Sequence, residues 1–91
     1  MQHANSKKST AIFKAIAKVL KDERLKQDKS IRLLAYEYDI QKSLISRLEN
    51  GVNEPKIISL WTICEALGIP LSELIRRVEK ELPEDFALID I

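Results

Sequence analysis

Few residues in this 91-residue chain are placed to do catalytic or metal chemistry. The one histidine, His3, lies in a polar leader, and the one cysteine, Cys64, falls on an apolar stripe. Neither has a companion with which to form a nucleophile–base pair or a metal cluster, so Cys64 reads as a core thiol. The carboxylates are scattered without a nucleophile beside them, and there is no glycine-rich phosphate loop. An enzyme is therefore not expected, and neither is a metal nor another cofactor. A different chemistry is open to "KSLISRLENG", residues 42–51, where aliphatic side chains alternate with Lys42, Ser43, Ser46 and Arg47. These polar groups are either a solvated helix face or, if a partner helix holds the segment out from the body, a surface that reads something.

Bulk properties narrow the class. The length suits one small domain. Hydrophobic residues at 45%, charged residues at 32%, and only two glycines and three prolines describe a helix-rich globule. The formal net charge of +1 hides an uneven distribution: residues 1–30 carry +5, residues 31–60 are neutral, and residues 61–91 carry −4. A lone cysteine allows no internal disulfide, and neither a signal core nor a stretch of membrane-spanning length is visible. A reduced, cytoplasmic location is expected.

The elements that would position the polar face can be read from periodicity and caps. Residues 1–9 read as a flexible basic leader. Ser9 or Thr10 can cap a first helix with Ile12, Phe13, Ile16, Val19 and Leu20 on its apolar side, ending near Gln27. Ser30 offers the next cap, and Ile31, Leu34, Ala35 and Tyr38 follow at the spacing of one buried stripe. Asp39 tolerates the left-handed backbone of a tight turn. A third helix then spans Lys42 to Asn50, with Ile45 and Leu48 inward, Leu44 at the edge and Gly51 as its stop. Pro55 sits where a fourth helix can begin, with Leu60, Ile63, Cys64 and Leu67 buried and Gly68 closing it. A fifth helix is expected through Leu71, Leu74, Ile75 and Val78 to about Glu81. Pro83 ends it, and "EDFALIDI" is a strand, an extended arm on the core or a disordered tail. Trp61 lies off the main stripe of the fourth helix and is expected in the core, with an interface anchor as the alternative.

The second and third helices meet the demands of a helix-turn-helix: small Ala35 at the crossing, Asp39 in the turn, and β-branched Ile45 as inward anchor. Residues 29–75 resemble the Cro/C1-type helix-turn-helix family of phage repressors and bacterial regulators. The resemblance is carried by Leu34-Ala35, the turn residue Ile40, "LISRLENG", Pro55 and "ICEALGIPLSEL". It implies an all-α, five-helix lambda-repressor-like DNA-binding domain over residues 10–81, with its motif at about 30–50 and a short extended tail over 82–91. It also implies that the third helix lies in the major groove of double-stranded DNA.

On that helix Lys42, Ser43, Ser46 and Arg47 are the candidates for base contact, with Leu44 available to a thymine methyl. By the same resemblance Gln41 and Asn50, at the two ends of the helix, and Lys56, past Pro55, approach the sugar-phosphate backbone. Ser59 and Asn53 are weaker backbone candidates, and Lys26, Lys29 and Arg32 are further phosphate candidates. Glu49 would repel phosphate, and the resemblance pairs it structurally with Arg24. One position departs from the family: the second helix usually opens with Gln, which bonds phosphate, whereas here it opens with Ile31.

Family relatives are commonly dimers on palindromic operators, so a homodimer is expected here, with Trp61, Phe86, Leu88, Ile89 and Ile91 as interface candidates. The function implied is sequence-specific transcriptional regulation in a bacterial or phage cytoplasm, at the nucleoid, by a repressor or a restriction-modification controller. The alternative is a protein-interaction module or antitoxin whose acidic, apolar tail docks a partner protein.

Overall fold

The computed structural model describes residues 6–89, in which five helices follow one another: α1 (Ser6–Lys26), α2 (Ile31–Tyr38), α3 (Lys42–Asn50), α4 (Ile57–Leu67) and α5 (Leu71–Glu81). No strand occurs among the described residues. The fold is all-α, as the periodicity predicts.

The long α1 forms the spine against which α3 and α5 pack, while α2 packs on α3 and α4 on α5. It starts at Ser6, so Ser9 and Thr10 lie inside it and do not cap it; residues 6–9 of the expected leader are helical, and residues 1–5 lie outside the described residues. Nothing in "SKKST" breaks a helix, since neither Gly nor Pro is present to stop its extension toward the N-terminus. Ile16, Val19 and Leu20 are buried as the stripe predicts, and Ala15 and Ala17 join them, because α1 is covered on two sides.

Local signals set the ends of α2 and α3. The Leu33 amide donates to Ser30 Oγ at 3.0 Å, capping α2, and Asp39 closes it in the left-handed region at φ 54°. The Asp39 and Ile40 amides both donate to the Ala35 carbonyl, which fixes the turn. Gly51 ends α3 with φ 67°. The helix α4 begins two residues after Pro55, since Lys56 remains extended at φ −80° and ψ 144° as its N-cap.

Leu34, Ile45, Ile63 and Leu74 are fully buried and join α2, α3, α4 and α5 to α1 in one core with Leu20. Three aromatic and aliphatic placements depart from the sequence reading. Trp61 is 53% exposed, so it is not a core residue; one position off the Leu60, Ile63, Cys64 stripe rotates it by roughly 100° onto the open side of α4. Tyr38 is 50% exposed, as the last residue of a helix too short to carry its stripe into the core. Ile75 is 40% exposed beside the buried Leu74.

The tail forms a turn over Glu84 and Asp85, with the Phe86 amide donating to the Pro83 carbonyl at 3.0 Å. Phe86 and Leu88 are half-buried and line an apolar groove with Ile12, Ile16 and Val78, while Ile89 is exposed. Ile91 lies outside the described residues. No single helix among the described residues is long and apolar enough to cross a membrane.

Candidate nucleic-acid interface

Burial on α3 divides its residues into two sets. Ile45 and Leu48 are buried in the core, and Lys42, Ser43, Ser46 and Arg47 are all exposed. The inward pair is held by α1 and α2, so the outward four are presented on a helix whose roll about its axis is fixed. Leu44 is half-buried and packs against the core, which leaves only part of its side chain at the edge of this face. Lys42 and Arg47 form no ion pair among the described residues, so both charges are free toward solvent.

The acid on this helix is neutralised internally. Arg24 Nε donates to Glu49 Oε2 at 2.7 Å and its Nη2 to Glu49 Oε1 at 2.9 Å, a two-bond fork between α1 and α3. The side chains are only 7% and 9% exposed. A third bond runs from Arg24 Nη1 to the Lys29 carbonyl at 2.7 Å, so one guanidinium ties α1 to α3 and to the loop before α2. The Glu49 hydrogen bonds hold the Arg24 pKa above its ordinary value.

Around this face the backbone-contact candidates fall at helix ends. Gln41 and Asn50 are exposed at the two ends of α3, and neither Gln41 nor Lys56 caps its helix with a side-chain bond. Lys56 is exposed at the start of α4, where the helix dipole adds positive potential. Arg32 and Asn53 are exposed and Ser59 is half-buried. Ile31 packs against the core, so the residue that replaces the family's glutamine contributes burial in place of a polar contact.

Of the expected phosphate candidates, Lys29 is the one the structure commits elsewhere. Its ammonium pairs with Glu37 Oε1 at 2.7 Å and lies 5.6 Å from the centre of the Tyr38 ring. No helical spacing signals this, because Lys29 precedes α2 and Glu37 is near its end. Sequence reading also missed the bridge from Glu23 to Arg77 Nη1 at 2.7 Å, which ties α1 to α5. It missed as well the bond that the Gln27 side-chain amide donates to the Leu67 carbonyl at 2.6 Å, which ties the residue just after α1 to the end of α4. Only the i, i+4 pairing of Gln27 with Glu23 carried a local hint.

The α2–turn–α3 unit, closed by Ala35, Asp39 and Ile45 and carrying an exposed polar face on its second helix, is the architecture of a helix-turn-helix protein. A family model described as helix-turn-helix matches residues 20–74, and the chain belongs to this Cro/C1-type family of DNA-binding transcriptional regulators. It is similar to the control protein C.MunI of a Mycoplasma species, with 36% identity over 64 residues, covering 70% of this chain and 86% of that protein. Two crystal structures of the clp gene regulator ClgR from Corynebacterium glutamicum share the fold. One aligns with a TM-score of 0.66 at 23% identity, covering 76% of this chain and 73% of that one. The other has a TM-score of 0.70 at 22% identity, covering 81% and 96%.

Proposed function

We propose that this regulator reads a specific duplex sequence by laying α3 in the major groove. The observation that carries the reading is the exposed quartet Lys42, Ser43, Ser46 and Arg47 on a helix whose only acid is neutralised by Arg24. Lys42 and Arg47 have the donors to meet guanine O6 and N7, the serine hydroxyls bond to base or phosphate, and the exposed part of Leu44 meets a thymine methyl. Gln41, Asn50, Lys56 and Arg32, with Asn53 and Ser59, hold the flanking phosphates and set register. The work is binding; no catalytic step is assigned to it.

Similarity to a control protein supports a regulatory role, which we read as that of a repressor or a restriction-modification controller acting in the cytoplasm. A homodimer on a palindromic operator suits the small surface of one domain. Trp61 and Ile89 are exposed apolar side chains of the kind a second copy covers, and half-buried Phe86 and Leu88 adjoin Ile89.

Selection of bound fragments from random duplex DNA, followed by titration at several salt concentrations, tests the reading. Arg47→Ala or Lys42→Ala is expected to cost about 1–3 kcal/mol and to relax sequence preference at one position of each half-site, whereas Lys56→Ala weakens all sequences alike. Failure to recover any preferred duplex would sink it.

A second reading is favoured by the same apolar surface: Ile58 and Trp61 on α4 and Ile75 on α5 are exposed together with Ile89 in the tail. A module that docks a partner protein, as an antitoxin does, would use them. Salt-sensitive duplex binding separates the two, because a protein-docking module without a DNA role shows none.

A further inference from the structure

By charge and position Lys29 belongs with Lys26 and Arg32, as a cation beside the start of α2 ready for phosphate. Its contacts give it other work. The ammonium reaches along α2 to Glu37 at 2.7 Å, with the Lys29 side chain 21% and the Glu37 side chain 37% exposed. The backbone carbonyl of the same residue accepts from Arg24 Nη1 at 2.7 Å, and Arg24 holds both oxygens of Glu49 at the end of α3. A continuous chain of polar contacts therefore runs Glu37, Lys29, Arg24, Glu49. It joins the far end of α2, the loop before it, α1 and the far end of α3.

The connection between α2 and α3 is only Asp39–Gln41, and the eight-residue α2 is too short to be stable by its own hydrogen bonds. The turn fixes where the two helices meet. The start of α2 and the end of α3 need a separate restraint to keep the pair from rocking about that turn. We infer that Lys29 is a positioning residue that sets the angle at which α3 is presented, with Glu37 as its anchor, and that it makes no phosphate contact. The inference rests on the DNA-reading role proposed for α3. Glu37 is partly open to solvent, so the pair restrains α2 through its short contact and the Tyr38 ring 5.6 Å from the ammonium, and not through exclusion from water.

The test compares Lys29→Met, Glu37→Gln and their double variant with the wild-type protein on the selected duplex across a range of salt. The expected result is a loss of affinity of roughly two- to fivefold in each single variant, with the double variant no worse than either. Lys29→Arg keeps the pair with Glu37 and retains wild-type binding. A phosphate contact gives the opposite pattern and overturns the inference: Lys29→Met lowers the slope of log affinity against log salt by about one unit, and Glu37→Gln tightens binding by freeing the lysine.

Hydrogen exchange without DNA supplies an arm that survives failure of the DNA reading. The Ile45 and Leu48 amides in α3 are expected to exchange faster in both single variants while the Leu74 and Val78 amides in α5 keep their protection. Unchanged exchange in α3 overturns the positioning role whatever the DNA result. Should Lys29→Met fail to fold, Glu37→Gln carries both arms alone.

Discussion

Gly51 lies directly on the backbone of α1: a β-carbon there would sit 3.1 Å from the Lys14 α-carbon and 3.2 Å from both the Ala17 β-carbon and the Phe13 carbonyl oxygen. Its φ of 67° adds a conformation that other residues adopt at a cost. The residue that stops α3 also sets how closely that helix approaches α1. Gly51→Ala is expected to lose about 2–3 kcal/mol of stability, combining backbone strain with a contact that backbone atoms cannot relieve. Gly68 provides the internal comparison, since it shares a positive φ of 76° but has open space around its α-carbon. Gly68→Ala is expected to lose only about 1 kcal/mol, and equal losses in urea denaturation would refute the steric part of the argument.

The Arg24–Glu49 fork makes a second, independent prediction. Arg24→Ala or Glu49→Ala leaves a nearly buried charge without its partner, which costs about 3–5 kcal/mol. Replacing both, as Arg24→Met with Glu49→Leu, removes the stranded charge and is expected to recover most of that loss. Additive losses in the double variant, measured by the same denaturation series, would show that the two residues do not act as a pair.

Asp39 holds a left-handed conformation, φ 54°, that glycine adopts without strain. Asp39→Gly is therefore expected to raise stability by up to about 1 kcal/mol, read as a higher thermal midpoint. A lower midpoint would mean that the aspartate side chain contributes more to the turn than its backbone costs.

Acid is expected to weaken the ion pairs within α5 and the bridge from α5 to α1. Glu73 accepts bonds from Arg76 and then Arg77, which hold its carboxyl at about 2, well below the ordinary 4.5. Glu23 is lowered too, by its bond from Arg77 first and Gln27 second. A carboxyl whose folded pKa is depressed favours the folded state fully above its ordinary pKa. That contribution disappears as pH falls through the folded value. Thermal midpoints are expected to fall between about pH 4.5 and 2, and Glu73→Gln should flatten the dependence; an unaltered profile in that variant would assign the acid sensitivity to other groups.

The sequence by itself determined what depends on neighbours along the chain. Ser30, Asp39 and Gly68 act on amides and carbonyls within a turn of themselves and Gly51 supplies a left-handed backbone, so the ends of α2, α3 and α4 follow from their residue types. The inward set Leu34, Ala35, Ile45 and Leu48 follows from helical spacing, and the outward quartet of α3 follows from the inward one. Tertiary structure decided what depends on which helices are adjacent. The exposure of Trp61 is fixed by where α5 covers α4, a choice that the stripe of α4 alone leaves open. The diversion of Lys29 to Glu37, the Glu23–Arg77 bridge across 54 positions, and the tight seat of Gly51 against Lys14 are likewise contacts between separate segments. Periodicity reports only the direction a side chain takes from its own helix axis; the partner it meets there is set when the helices pack.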